Sequence, residues 1–262
     1  LDLIERFGAD GVRMGMMLCA PAGNDILFDD SLCEQGRNFC NKIWNCFRLI
    51  KGWEVADTAM PATNQWGIDW FKSVLAKAQA EVADLFGKYR LSEALMAIYK
   101  LFCDDFSGWY LEIIKPAYGQ PIDKATYEQT IQFMDTMLKL LHPFMPFITE
   151  ELWQAIEERQ EGESLMVSLL EDGSDMSDVL DGSDVFDIIS AIRNIRAQKN
   201  ISPKEVLTLV TPTELPAVVV KLANVELAIG AEKTAGSASF IIGTTEYSVP
   251  LEKFINVDEE LK

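Results

Sequence analysis

Between Asp30 and Lys51 the chain reads DSLCEQGRNFCNKIWNCFRLIK, and this stretch limits what the chain can fold into more than any other. At about 100° per residue it divides into two faces, as an amphipathic helix does. Leu32, Gly36, Phe39, Cys40, Ile43, Cys46, Phe47 and Ile50 fall on one arc. Glu34, Arg37, Asn38, Asn41, Lys42, Asn45 and Arg48 fall on the other, with Leu49 intruding. Asp29, Asp30 and Ser31 can each cap the start, and Gly52 marks the stop.

The polar arc has an uncommon composition. Solvated helix faces usually carry Glu and Lys, whereas Asn is a poor helix former, yet three stand here. Arg offers a forked donor and Asn a paired donor and acceptor, the groups that read base edges and phosphates. Two readings fit this arc: an ordinary solvent face, and a face that reads nucleic acid.

Charge bears on that choice. The 262 residues carry a net charge of −18, which opposes simple nucleic-acid binding, since phosphate affinity comes from Lys and Arg. The charge is uneven, however. Between Ser31 and Gly52, Arg37, Lys42, Arg48 and Lys51 face Glu34 alone, and Arg193, Arg196, Lys199 and Lys204 form a second basic stretch without an acid. The acid gathers in Glu150 to Asp187. A molecule polarised in this way remains compatible with RNA.

In order, Leu1–Phe7 and Ala9–Leu18 read as short helices broken at Gly8, and Cys19–Phe28 as a loop. After Pro61, helices are expected over Gly67–Phe86, from a Ser92 cap to Lys115, from an Asp123 cap to Leu141, and from Pro146 to about Gln160. Glu171–Val185 reads as a solvated acidic linker, and Leu251–Lys262 as the start of a charged helix. Phe186–Lys199 reads as a helix, followed by β runs at Val206–Thr211, Val225–Ile229, Ser237–Ile242 and Glu246–Val249, with a short helix at Leu215–Ala223. The expected architecture is mainly α: an antiparallel helical bundle followed by a small α+β unit. No apolar run approaches the length of a membrane span.

No catalytic constellation is legible. The chain has no glycine-rich phosphate loop, no G-x-S-x-G and no spacing suited to a metal. The five cysteines form no C-x-x-C pair and sit among apolar residues, as buried thiols of a reducing cytosol do. His142, the single histidine, lies among prolines and apolar residues at a helix end, a structural corner more than a general base.

Four segments in sequence, LDLIERFGADGVR, APAGNDILFD, EQGRNFCNKIWNCFRLIKGW and LLHPFMPFITEELW, with IRNIRAQKNISP after them, resemble the C-terminal part of the bacterial valyl-tRNA synthetase family. The resemblance spans essentially the whole chain. HPFMPFITEELW alone marks the class I synthetases for branched aliphatic amino acids, and the GNDILF and GRNFCNKIWN segments favour valyl over isoleucyl or leucyl. It implies a stem over residues 1–30, an anticodon-binding bundle over 31–165, an acidic linker over 166–185 and a small C-terminal unit over 186–262. Neither the HIGH nor the KMSKS motif is present, so ATP and Mg²⁺ belong to the parent enzyme and no cofactor is expected in this stretch. The implied partners are tRNA(Val) and the rest of the synthetase chain, in the cytoplasm, with neither DNA nor a membrane. Asn38, Asn41, Lys42 and Asn45 are the expected base and ribose contacts, Arg37 and Arg48 suit phosphates or stacking, and Arg193, Arg196 and Lys199 are candidates for the tRNA backbone. The competing expectation is an acidic helical module that binds a protein.

Overall fold

The computed structural model describes residues 1–20, 28–171, 179–234 and 236–252. The chain is mainly α-helical, with a small α+β part. It divides into two compact units, Leu1–Met60 with Phe71–Val179, and Pro61–Trp70 with Leu180–Lys262.

In the first unit, α1 (Asp2–Phe7) and α2 (Ala9–Leu18) meet at Gly8, whose φ of 76° suits glycine. Helix α3 spans Asp30–Lys51, the range its periodicity predicts, and Asp29 is its cap, accepting from the Ser31 N–H at 2.8 Å. Helix α4 (Ala62–Gly87) starts before the expected Gly67. The Pro61 carbonyl accepts from the Asn64 and Gln65 N–H groups, and Gly67 is buried inside the helix instead of beginning it.

The next stretch departs most from expectation. A continuous α-helix from a Ser92 cap is replaced by α5 (Leu91–Lys100), a π-helical segment (Leu101–Tyr110) and α6 (Leu111–Ile114). Arg90 takes the cap position without a side-chain cap bond. Phe102, Phe106 and Tyr110 face inward and are fully buried, while Trp109 is half-buried. The Leu111 N–H donates to the Phe106 carbonyl, five residues back.

Helix α7 (Lys124–Leu141) starts at the predicted cap, where Asp123 accepts from the Thr126 N–H at 2.8 Å. Helix α8 (Pro146–Ile156) has its proline in the first turn and ends before Gln160, where Glu157 becomes extended. Two short parallel strands, β1 (Val55–Ala56) and β2 (Ile122–Asp123), tie the connecting loops together. Phe71, Phe106, Tyr110 and Phe133 form the aromatic centre, with ring centroids 4.9–5.5 Å apart. The Tyr110 hydroxyl is satisfied by Thr130 at 2.8 Å.

Two of the quoted sequence motifs meet in this unit. Asp10 of α2 is buried and accepts from the Phe147 and Ile148 N–H groups (3.3 and 2.6 Å), the unpaired donors at the start of α8. Arg13 donates to the Phe144 and Pro143 carbonyls. His142 sits at this corner with Nδ1 2.7 Å from the Thr149 hydroxyl, and burial lowers its pKa.

The second unit has α9 (Ser183–Gln198), β3 (Leu207–Thr211), α10 (Ala217–Ala223), β4 (Val225–Ile229), β5 (Ser237–Ile242) and β6 (Thr245–Pro250). The sheet order is β4-β3-β6-β5, with β3 and β4 parallel across α10 and the other pairs antiparallel. The β5–β6 hairpin turns at Gly243, whose φ is 59°. Trp66 and Trp70, from the first turns of α4, pack around Phe186 of α9. Helix α9 starts at Ser183, before the expected Phe186, within the stretch read as linker. Residues 172–178 of that linker, 21–27 of the first loop and 253–262 of the charged helix lie outside the described residues.

Candidate nucleic-acid interface

The inner face of α3 is fixed by close packing. Cys33, Phe39, Ile43, Cys46 and Ile50 are buried, and Gly36 lies against the backbone of Gly11 in α2. A Cβ on Gly36 would stand 2.5 Å from the Gly11 carbonyl oxygen, and one on Gly15 would stand 2.5 Å from Cys33 Sγ. At Gly36 no side chain separates the two helices, and at Gly15 the backbone and thiol of Cys33 lie directly against α2. The outer face of α3 is therefore held at a set angle.

On that face Asn38, Asn41, Asn45 and Arg48 are exposed, while Arg37 and Lys42 are half-buried. The side chains of Asn38, Asn41, Asn45 and Arg48 make no hydrogen bond among the described residues. Elsewhere on the helices, exposed polar side chains often pair one turn away, as Gln65 does with Asp69, Lys88 with Asp84 and Gln154 with Glu150. Arg37 behaves in that ordinary way. It bonds Glu34 at 2.9 Å and lies 5.7 Å from the Phe7 ring centroid, so it is partly occupied.

The end of α5, the π-helical segment and α6 form the facing wall. Lys42 Nζ donates to the Cys103 carbonyl at 3.2 Å, which fixes its stem between two hollows. One, of about 360 Å³, is lined by Glu34, Gln35, Asn38, Lys42 and Tyr99. The other, of about 330 Å³, is lined by Asn38, Asn41, Lys42, Asn45, Leu49, Ser107 and Glu112. Asn38 and Lys42 line both. Sequence reading missed the second wall, in which Tyr99 of α5, Ser107 of the π-helical segment and Glu112 of α6 are brought opposite α3 by tertiary packing.

The thiols nearby are inert. Burial raises the pKa of Cys46 and Cys103, and pushes Cys40 up to about 12, so none is a ready nucleophile. Asp105, on the π-helical segment, is pushed up to about 6, first by burial and then by Asp104. No group of three or more His, Cys, Asp or Glu among the described residues is placed to hold a metal ion.

The remaining candidates lie in the second unit and differ from one another. Arg193 is exposed, with Nη2 3.4 Å from the Leu222 carbonyl, and Lys199 is half-buried at the end of α9. Arg196, expected at the tRNA backbone, is instead only 6% exposed. It donates to the Ser202, Ala223 and Asn224 carbonyls at 2.9–3.0 Å, satisfying the open end of α10. Its guanidinium holds the fold together.

Residues 69–211, more than half of the chain, match the family model described as the anticodon-binding domain of tRNA ligase, and the chain belongs to that family. Its relatives narrow the class. Over its full length it is 62% identical to the valine--tRNA ligase of Phocaeicola vulgatus and 58% identical to that of Parabacteroides distasonis. It is 34% identical to the valine--tRNA ligase of Fusobacterium nucleatum, again over all of the chain. In each case the chain spans about a third of the relative's length (31–32%). No helix among the described residues is long and apolar enough to cross a membrane.

Proposed function

We propose that this chain is the anticodon-reading part of a valine--tRNA ligase and that it holds tRNA(Val) against the outer face of α3. One observation carries the reading: Asn38, Asn41 and Asn45 present unpaired amides beside Lys42 and Arg48, over two adjoining hollows. Anticodon bases are single-stranded and splay outward, so side chains can reach their edges. Each amide offers a donor and an acceptor, the pattern that distinguishes one base from another. Lys42 and Arg48 supply the charge for ribose and phosphate. Arg37 contributes less, being paired with Glu34, while Arg193 and Lys199 are left as backbone contacts of the second unit.

In this reading residues 1–30 are a stem, 31–165 the anticodon-binding bundle, 166–185 a linker and 186–262 a C-terminal unit. The parent joins valine to tRNA(Val) with ATP and Mg²⁺, in the cytoplasm. Those ligands belong to the two thirds of the relatives' length that this chain does not span. The residues of this chain bind and orient the tRNA and take no part in bond making.

Replacing Asn41 and Asn45 together by Ala tests the reading. Each lost bidentate contact between an amide and a base is worth roughly 1–3 kcal/mol of discrimination, so the double variant should bind a tRNA(Val) transcript at least tenfold more weakly. Its thermal unfolding should stay within a degree or two, because neither amide bonds the protein. Unchanged tRNA binding would return this face to plain solvent contact.

A further inference from the structure

Trp44 stands apart from the two arcs of α3, and its surroundings differ from those of every other tryptophan. The chain has six, all within the described residues, and Trp44 alone is exposed, at 39%. Trp70 and Trp153 are buried, and Trp153 also gives its N–H to Asp135 and carries Arg159 3.8 Å over its ring. The Trp44 ring lies 5.7 Å from that of Phe47, and its indole N–H has no partner among the described residues.

Helix geometry says what lies beside it. Residues three and four apart share a face, so Asn41 and Arg48 flank Trp44 one turn away on either side, with Asn45 adjacent. A protein surface covering this indole would also desolvate the neighbouring amides and guanidinium, and any left unpaired would cost free energy. An unpaired nucleotide suits the place better. It lays a flat π face on the indole and offers donors, acceptors and a phosphate to the groups on either side.

We propose that Trp44 is a stacking platform for an unpaired base of the tRNA anticodon loop, held there by Asn41, Asn45 and Arg48. The inference rests on the tRNA reading given above and adds to it a residue that binds a base by its face and not by its edge.

The test uses the 262-residue chain and an anticodon stem-loop of tRNA(Val) carrying 2-aminopurine at each anticodon position in turn. Trp44→Leu keeps apolar packing on Phe47 and removes the aromatic face; Trp44→Phe keeps both in reduced form. Stacking on an aromatic side chain predicts roughly a five- to 150-fold loss of affinity for Trp44→Leu. The loss for Trp44→Phe should be only about a few-fold on the same scale. At one position the 2-aminopurine fluorescence should be quenched by the wild-type chain and not by Trp44→Leu. If Trp44→Leu binds and quenches as the wild type does while Asn45→Ala binds more weakly, the stacking role is overturned and the tRNA reading stands. If neither variant changes binding, both fall.

Discussion

An asparagine on a helix gives up propensity, and leaving its amide unpaired gains nothing within the protein. Asn38, Asn41 and Asn45 do both on one face of α3, and that is the residue-scale case for an external ligand. The face was legible in the sequence because residue type and helical period suffice to define it. Arg196 was not, since a buried arginine bonding three carbonyls and an exposed one reaching for phosphate look alike in IRNIRAQKN. Asp105 supplies a pH prediction at this scale. Its folded pKa, near 6, lies above the ordinary carboxylate value of 3.8, so its contribution to stability is full at low pH and is lost as pH rises through about 6. Asp105→Asn should therefore raise the melting temperature at pH 8 and leave it unchanged near pH 4. An equal shift at both values would mean that ionisation of Asp105 is not what costs stability.

At the scale of elements, the reading face depends on how α3 is seated. Gly36 and Gly15 allow α2 and α3 to touch backbone to backbone, and Asp10 and Arg13 join α2 to the start of α8. Gly36→Ala would drive a methyl into the Gly11 carbonyl and should destabilise the chain by about 1–3 kcal/mol, measured by chemical denaturation. A loss below about 0.5 kcal/mol, the range of ordinary surface substitutions, would mean that the crossing can widen at little cost. Helix ends with a side-chain or proline signal, at Asp123 and Pro146, were readable from sequence. Asp123→Ala should cost about 1 kcal/mol through loss of the cap to Thr126. The π-helical segment was not readable, because the four-residue spacing of Phe102, Phe106 and Tyr110 fits an α-helical stripe equally well. The segment contributes Cys103 and Ser107 to the wall opposite the asparagines.

For the molecule as a whole, a net charge of −18 must be reconciled with a polyanionic ligand. Nonspecific attraction to phosphate should be weak and lost early as salt rises, leaving whatever base reading α3 supplies. The mainly α architecture and the change to an α+β pattern after the acidic stretch were plain in the sequence, since hydrophobic period shifts from helical to alternating there. The grouping of Pro61–Trp70 with the second unit was hidden, for it rests on Trp66 and Trp70 meeting Phe186, a contact far apart in sequence. The most direct test of the account is the affinity of the chain for a tRNA(Val) transcript against the same transcript with its anticodon exchanged, at low and at raised salt. The account predicts tighter binding of the native anticodon, with a ratio that persists as salt weakens both. Equal affinity for the two transcripts, falling together with salt, would contradict it and leave α3 with phosphate attraction alone.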